Sequence, residues 1–337
     1  MRLIFSLLLL STIFASCNKK NKIPDVSGVN VTLSTSRFEE QFFSMDTTKL
    51  PEQAEKLAAE YPAFGNLFMV RLLGLTPDLP KDTANAYLKQ FISYYGSVYS
   101  ESEKLFRDFS PYEKKIRKAF QFVKYYFPSY KLPQKIVTFI GPVDGTGHGI
   151  GEDELYIGLQ DHLGSDFPFY KTPMVEEIYP DYVTRDFTPE YITINSMQVI
   201  EDDMYPDNTE DKRLLVQMVE KGKRLYLLSR FLPDEPEHKL IGYTAVQLAD
   251  CYKHEAAIWD LFIKNNYLQV ADNNLIKNYV SPGPKTQELG EDAPGNIGSF
   301  AGWQIVKKFM DKNPDMSPAD LMKTDAEKIY SESKYKP

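Results

Sequence analysis

The strongest constraint on this chain is that its folded part can carry no disulfide. It has two cysteines, Cys17 and Cys251. The first closes a stretch that reads as a secretory signal: Met1-Arg2, an apolar run from Leu3 to Leu10, then Ser11-Thr12-Ile13-Phe14-Ala15-Ser16. A charged start, an apolar segment of roughly 7–15 residues and small residues before the cut describe such a peptide. The run is too short for a bilayer-spanning helix, which needs about 20 apolar residues. Phe14-Ala15-Ser16-Cys17 has the form of a bacterial lipobox, so cleavage before Cys17 and acylation of its thiol, palmitate included, are expected. Several acyl chains on one residue hold a membrane almost irreversibly, at about 0.8 kcal/mol per buried methylene. Cys251 is then alone, and the body has to be held together by its core.

The material for a core is present. The sequence contains 21 Phe and 22 Tyr, side chains that bury large areas each. Residues 17–28 form a polar, basic tether whose Lys19, Lys20 and Lys22 would lie near anionic headgroups, each adding about 1 kcal/mol. Without residues 1–16 the chain has 321 residues, with 38 Lys and Arg against 47 Asp and Glu, a net charge of −9. An acidic balance with no basic run beyond the tether excludes nucleic acid as a partner, because phosphate contacts need clustered cations. A cysteine cluster for structural zinc is excluded as well.

Four segments follow from the patterning: a signal peptide at 1–16, the lipidated tether at 17–28, a helical block at 29–130 and an α+β region at 131–337. Val29, Val31 and Leu33 alternate as in a short strand. Helices are expected after Ser36, after Asp46 up to Pro62, over Asp82–Tyr95 and over Ser110–Phe127. Lys135–Gly141 and Glu154–Leu159 read as strands, joined by the glycine-rich stretch Gly141–Gly151, expected to be a mobile hairpin connection. A phosphate cradle would need a helix directly after that loop, and a strand follows. Asp144, Glu152, Asp153 and Glu154 read as a solvated acidic rim. Helices are expected again over Tyr191–Met204, Asp211–Phe231 and Thr244–Asn265, the last opened by a Thr244/Gln247 capping box. Gly298 and Gly302, four apart on a further helix, would admit another backbone at close range. Ser317-Pro318 opens the final helix.

Among chemical motifs, His254-Glu255 begins a His-Glu-x-x-His pattern, but the fifth position is Ile258, which cannot ligate zinc. The four histidines, His148, His162, His238 and His254, include no pair at helical ligand spacing. There is no Gly-x-Ser-x-Gly elbow, and Cys251 falls within a helix, where a small core residue is expected. Carboxylates occur together in Glu176-Glu177 and Glu201-Asp202-Asp203, but a glycosidase pair is defined by separation in space. No catalytic residue, metal or cofactor is therefore assigned.

Several segments in order resemble the gliding-motility lipoprotein B (GldB) family of the Bacteroidetes. They are the lipobox; Arg37-Phe38-Glu39 with Phe42-Phe43 and Asp46; Leu155 to Gly164; Glu220 to Tyr226; Glu255 to Trp259; Pro294 to Val306; and the ending Ser333-Lys334-Tyr335-Lys336-Pro337. The resemblance implies a predominantly helical α+β fold, with a small sheet flanked by helices in a zincin-like C-terminal part. The family is similar to zinc peptidases with a His-Glu-x-x-His helix. Here that place falls on Ile194-Asn195-Ser196-Met197-Gln198-Val199, without histidine, and Glu220 with Gly222 would be a remnant of the later Glu-Gly segment. The implied role is a non-catalytic accessory or scaffold lipoprotein of the cell envelope, facing the periplasm or the cell exterior, anchored to membrane lipid through Cys17 and working with envelope proteins. An aromatic groove near Trp259 and Trp303 is expected as its interaction surface, with His254, Glu255 and Glu220 nearby. Two rivals are a zinc metallopeptidase with His254, Glu255 and Glu220 as unconventional ligands, and a binder of envelope glycan or peptide. Growth with labelled fatty acid should mark the wild-type chain and leave Cys17→Ser unlabelled; equal labelling of both would remove the anchor.

Overall fold

A computed structural model describes residues 23–337. The expected signal peptide and Cys17 lie outside the described residues. The chain is predominantly helical around one small sheet of four strands: β1 Ser34–Arg37, β2 Lys135–Phe139, β3 His148–Ile150 and β4 Glu154–Gly158. Their order is β1-β2-β4-β3, with β1, β2 and β4 parallel and β3 antiparallel on the edge. Ile136, Val137, Leu155 and Ile157 are fully buried, so β2 and β4 read as continuous apolar runs, the pattern of parallel strands covered on both faces. Among the described residues no helix is long and apolar enough to cross a membrane.

Two expectations about strands are corrected. The first strand is Ser34–Arg37, and Val29 to Leu33 lie outside the sheet. Their carbonyls are taken by side chains of the helix Ser110–Tyr126 instead: Arg117 donates to Val31 O and Leu33 O (3.2 and 2.8 Å), and Gln121 to Val29 O (2.8 Å). Backbone groups satisfied this way need no ladder. The glycine-rich stretch is not a simple hairpin loop between two long strands. It carries the chain past β4 into β3, which then turns back, so that β2 and β4 run parallel.

The sheet joins the N-terminal helices to the rest. β1 pairs with β2 residue for residue, from Ser34 opposite Lys135 to Arg37 opposite Thr138. Phe38 and Phe64 stack edge-on at 5.0 Å, and Phe64 meets Phe139 of β2 and Tyr156 of β4 at 5.1 and 4.8 Å. Beside this cluster Arg37 Nε donates to Glu39 Oε1 at 2.6 Å, its Nη1 donates to Phe106 O, and the Thr138 hydroxyl donates to Glu39 Oε2 at 2.7 Å. Burial pushes the Glu39 carboxyl up, while the Arg37 charge and the Thr138 hydroxyl pull it down.

The C-terminal region is organised by one helix crossing. The helix Leu214–Phe231 packs on the helix Ile297–Lys312 more extensively than any other pair of elements. A Cβ on Gly302 would overlap the Met218 carbonyl, and one on Gly222 would overlap the Gly302 backbone. Gly298 meets the Tyr279 carbonyl at 2.9 Å in the same sense. The close approach expected at Gly298 and Gly302 is thus present, and its counterpart is Gly222. The expected helix Thr244–Asn265 is two, Ala245–Lys253 and Glu255–Lys264, broken at His254. Its capping box is formed in both directions. The buried stripe is Leu248, Cys251, Ile258, Trp259 and Phe262, with Tyr252 and Ile263 exposed.

Because the overlap at the crossing is with backbone, side-chain repacking cannot relieve it. Gly302→Ala should lower the unfolding free energy by about 3 kcal/mol or more. Urea titration would show it as a fall in midpoint at unchanged slope, and a midpoint equal to wild type would refute the crossing geometry.

Candidate functional site

A cavity of about 690 Å³ opens between the helix Ile192–Met204 and the helix Leu214–Phe231. The first helix contributes Ile194, Asn195, Gln198, Glu201 and Asp202, positions that share one face at 3.6 residues per turn. The second contributes Lys221, Arg224, Leu225 and Leu228 by the same spacing. Residues 182–187 and 239–243 close one end. Two loops form the rim: Pro282-Gly283-Pro284, and Pro294-Gly295-Asn296, which leads into the helix Ile297–Lys312. The rim is tied down by Tyr243 Oη donating to Gly295 O (2.9 Å) and Thr286 Oγ1 donating to Pro294 O (2.7 Å). Gly295 lies so close to Gly283 that a Cβ there would overlap the Gly283 carbonyl.

Charge in the lining is almost fully paired. Arg224 donates to Asp202 Oδ1 (2.7 Å) and to Tyr205 O; Lys221 donates to Asp207 Oδ2 (2.8 Å). Arg185 donates to Asp186 (3.3 Å) and to Gly242 O (2.7 Å), and Lys239 pairs with Glu190. The Lys221 contact, with the Thr209 hydroxyl and amide, holds Asp207 down near 2 against its burial. Glu201 is the exception. It is 3% exposed, its Oε1 is buried without a hydrogen-bond partner, and it forms no ion pair among the described residues. Burial pushes its carboxyl well above the usual range, against the pull of Arg224 and Lys221 and with a push from Asp202.

With this geometry in hand, comparison with family models is decisive. The model of the gliding motility protein GldB family matches residues 19–337. The chain belongs to that family. No curated protein and no solved structure matches it.

In this GldB-family chain the sequence-predicted interaction residues are not on the cleft. Trp303 is fully buried and Trp259 nearly so, packed edge-on against Tyr335 at 5.0 Å. The aromatic groove expected beside them is not formed among the described residues, because both rings fill core space between the C-terminal helices. Lys307 lies over the Trp303 ring at 3.9 Å and covers it. Glu255 accepts a hydrogen bond from Tyr335 Oη (2.6 Å), and Glu220 accepts from the buried Lys223 (2.9 Å), which also donates to Thr324 O. His254 is exposed at the break between two helices, where the sequence pointed to one continuous helix. These three are not brought together as ligands: among the described residues no three His, Cys, Asp or Glu groups are arranged to hold a metal. Cys251 is buried, as expected of a small core residue.

Two histidines do meet, through a signal that helical spacing misses. His148 on β3 and His162 just after β4 face each other across the turn, Nε2 to Nε2 at 2.7 Å, and His162 Nδ1 donates to Thr188 O at 3.0 Å. With that tautomer His148 Nε2 is the donor to His162, and His148 Nδ1 is left buried without a partner. Burial drives His148 well down, with further push from His162, and drives His162 down to about 4. Burial raises the adjacent Asp161 to about 8. Neutral histidines at this corner tie β3 to the segment after β4 and to the Thr188 carbonyl, and β3 packs on the helix Ile192–Met204.

Since His162 takes its proton lower in the folded than in the unfolded state, its contribution is complete above about pH 6.5 and is lost as pH falls towards 4. Asp161, raised by burial, works in the opposite sense and is common to both proteins compared. The stability advantage of wild type over His162→Gln should shrink by something on the order of 2 kcal/mol between pH 6.5 and 4. An advantage that holds constant over that range in denaturant titrations would contradict a buried neutral pair.

Proposed function

We propose that this chain is a lipid-anchored accessory protein of the cell envelope, working with the gliding machinery or the secretion apparatus associated with it. Its body receives part of a partner in the cleft and performs no chemistry on it. Family membership carries the association with gliding. The observation that carries the binding reading is the cavity itself, of the size and mixed polar-apolar lining that small ligands and peptide segments occupy. The anchor is assigned to Cys17, with the tether setting the body close to the bilayer.

The non-catalytic reading is supported by which side chains face the cleft. If the fold is a zincin-like scaffold, the helix Ile192–Met204 stands where a metal-binding helix would, under the antiparallel edge strand β3. The positions it turns to the cavity are Asn195 and Gln198, with Glu201 beyond. That donor set does not fit zinc, which takes imidazole, thiolate or several carboxylates. The lining includes no histidine, no cysteine and a single serine, Ser299, whose hydroxyl donates to Asn296 Oδ1 (2.5 Å). The same scaffold would then bind peptide without cutting it.

Gln198 is exposed into the cleft, so a larger side chain there fills space without disturbing the core. In a gliding host, Gln198→Trp should abolish colony spreading while the protein accumulates at the envelope at wild-type level. Normal spreading by that variant would move the working surface elsewhere.

A further inference from the structure

We propose that the cleft recognises a cationic nitrogen of its ligand, a primary ammonium or a guanidinium, through the carboxylate of Glu201. This rests on the cleft being the working surface. The argument is one of charge left over. Four cations line the cavity or its mouth, and each already has a carboxylate partner: Arg224 with Asp202, Lys221 with Asp207, Arg185 with Asp186, and Lys239 with Glu190. Asp202 and Glu190 are largely exposed, so these pairs sit at the rim, where ion pairs are weak and solvated. The acid at depth is the one without a partner. Glu201 lines the cavity, is almost completely buried, and leaves Oε1 with no donor.

A buried carboxyl without a counter-charge ionises only at a large cost, so Glu201 rests protonated in the empty cleft and a bound cation is what favours its carboxylate. Arg224 does not relieve it, because its two outer nitrogens are committed to Asp202 and to the Tyr205 carbonyl. Lys221 is committed to Asp207. Glu201 borders the cavity beside the apolar side chains of Ile194, Leu225 and Leu228, a low-dielectric wall against which a cation's attraction to the carboxylate is strong. Gln198 and Asn195, about one and two turns earlier on the same helix face, offer neutral amides for the ligand's backbone. An extended peptide bearing Lys or Arg supplies the cation, and so does a free amino terminus; the chemistry at Glu201 is shared.

The test uses the detergent-solubilised lipoprotein and calorimetric titration with short probes. These are acetyl-Ala-Ala-Lys-Ala-amide, its Arg, norleucine and Glu counterparts, and unblocked tetra-alanine amide with its acetylated control. The Lys or Arg probe is expected to bind at least about tenfold more tightly than the norleucine probe. Preference for tetra-alanine amide over its acetylated form would assign the amino terminus instead. Glu201→Gln, which keeps size and shape, should erase the preference and leave the norleucine probe unchanged. In the absence of ligand the same variant should melt within a few degrees of wild type at neutral pH, since a protonated carboxyl and an amide are both neutral. The inference is overturned if the Glu probe binds best, if the cationic preference survives in Glu201→Gln, or if no cationic probe binds. Failure on these counts, with Gln198→Trp still abolishing spreading, would leave the cleft as the working surface and remove only its cationic ligand.

Discussion

The contact on which the C-terminal architecture depends is between two backbones. Gly222 and Gly302 let the helices Leu214–Phe231 and Ile297–Lys312 touch at a distance no other residue pair would permit. That approach does more than fill the core. It fixes the direction of the first helix, whose other face carries Lys221, Arg224, Leu225 and Leu228 into the cleft. It also fixes the start of the second, where Asn296 adopts a left-handed backbone and the Pro294-Gly295 rim begins. Closely packed interiors transmit such positional constraints with little loss.

A second constraint joins the first strand to the second across about a hundred residues. The Arg37–Glu39 pair is buried and shared among a strand, a neighbouring strand and a helix terminus, through Thr138 and Phe106 O. Replacing such a pair by apolar residues is often neutral for stability, whereas breaking it is costly. Its contribution is therefore one of register: it admits a single alignment of β1 on β2. The phenylalanines around it, Phe38, Phe64 and Phe139, supply the burial that the ion pair does not.

Against this background of satisfied groups, the cleft stands out by its accounting of charge. Elsewhere many buried polar residues find partners, as Lys223 does in Glu220 and Thr324 O, although His148 Nδ1, Glu154 Oε2 and Asp161 Oδ1 are also left without one. His148 and His162 use each other and a carbonyl. Natural chains depart from full internal satisfaction chiefly where function requires it. Glu201 is such a departure within the cleft, and it lies on the helix that also presents Asn195 and Gln198.

Much of the chain was legible before any coordinates. Apolar periodicity located the main helices to within a few residues, from Ser110–Tyr126 to Leu214–Phe231, because those elements bury one stripe each and the period of burial is local. The capping box at Thr244 and the close-approach glycines at 298 and 302 were readable for the same reason: their geometry is decided within one helical turn. The ordered motifs from Arg37 to Pro337 pointed to the family that the match over residues 19–337 shows. What folding alone decided is every relation across distant segments. Side chains of Arg117 and Gln121 displaced a strand from Val29–Leu33, and the Trp259 and Trp303 rings went into the core while prolines and polar helix faces formed the cleft. Glu201 read as one member of an acidic run, and its isolation became visible only when Asp202 was found with Arg224 and Asp207 with Lys221. A sequence specifies which groups carry charge and how a turn is capped; which charge is left unpaired depends on the neighbours that packing brings, and those come from anywhere along the chain.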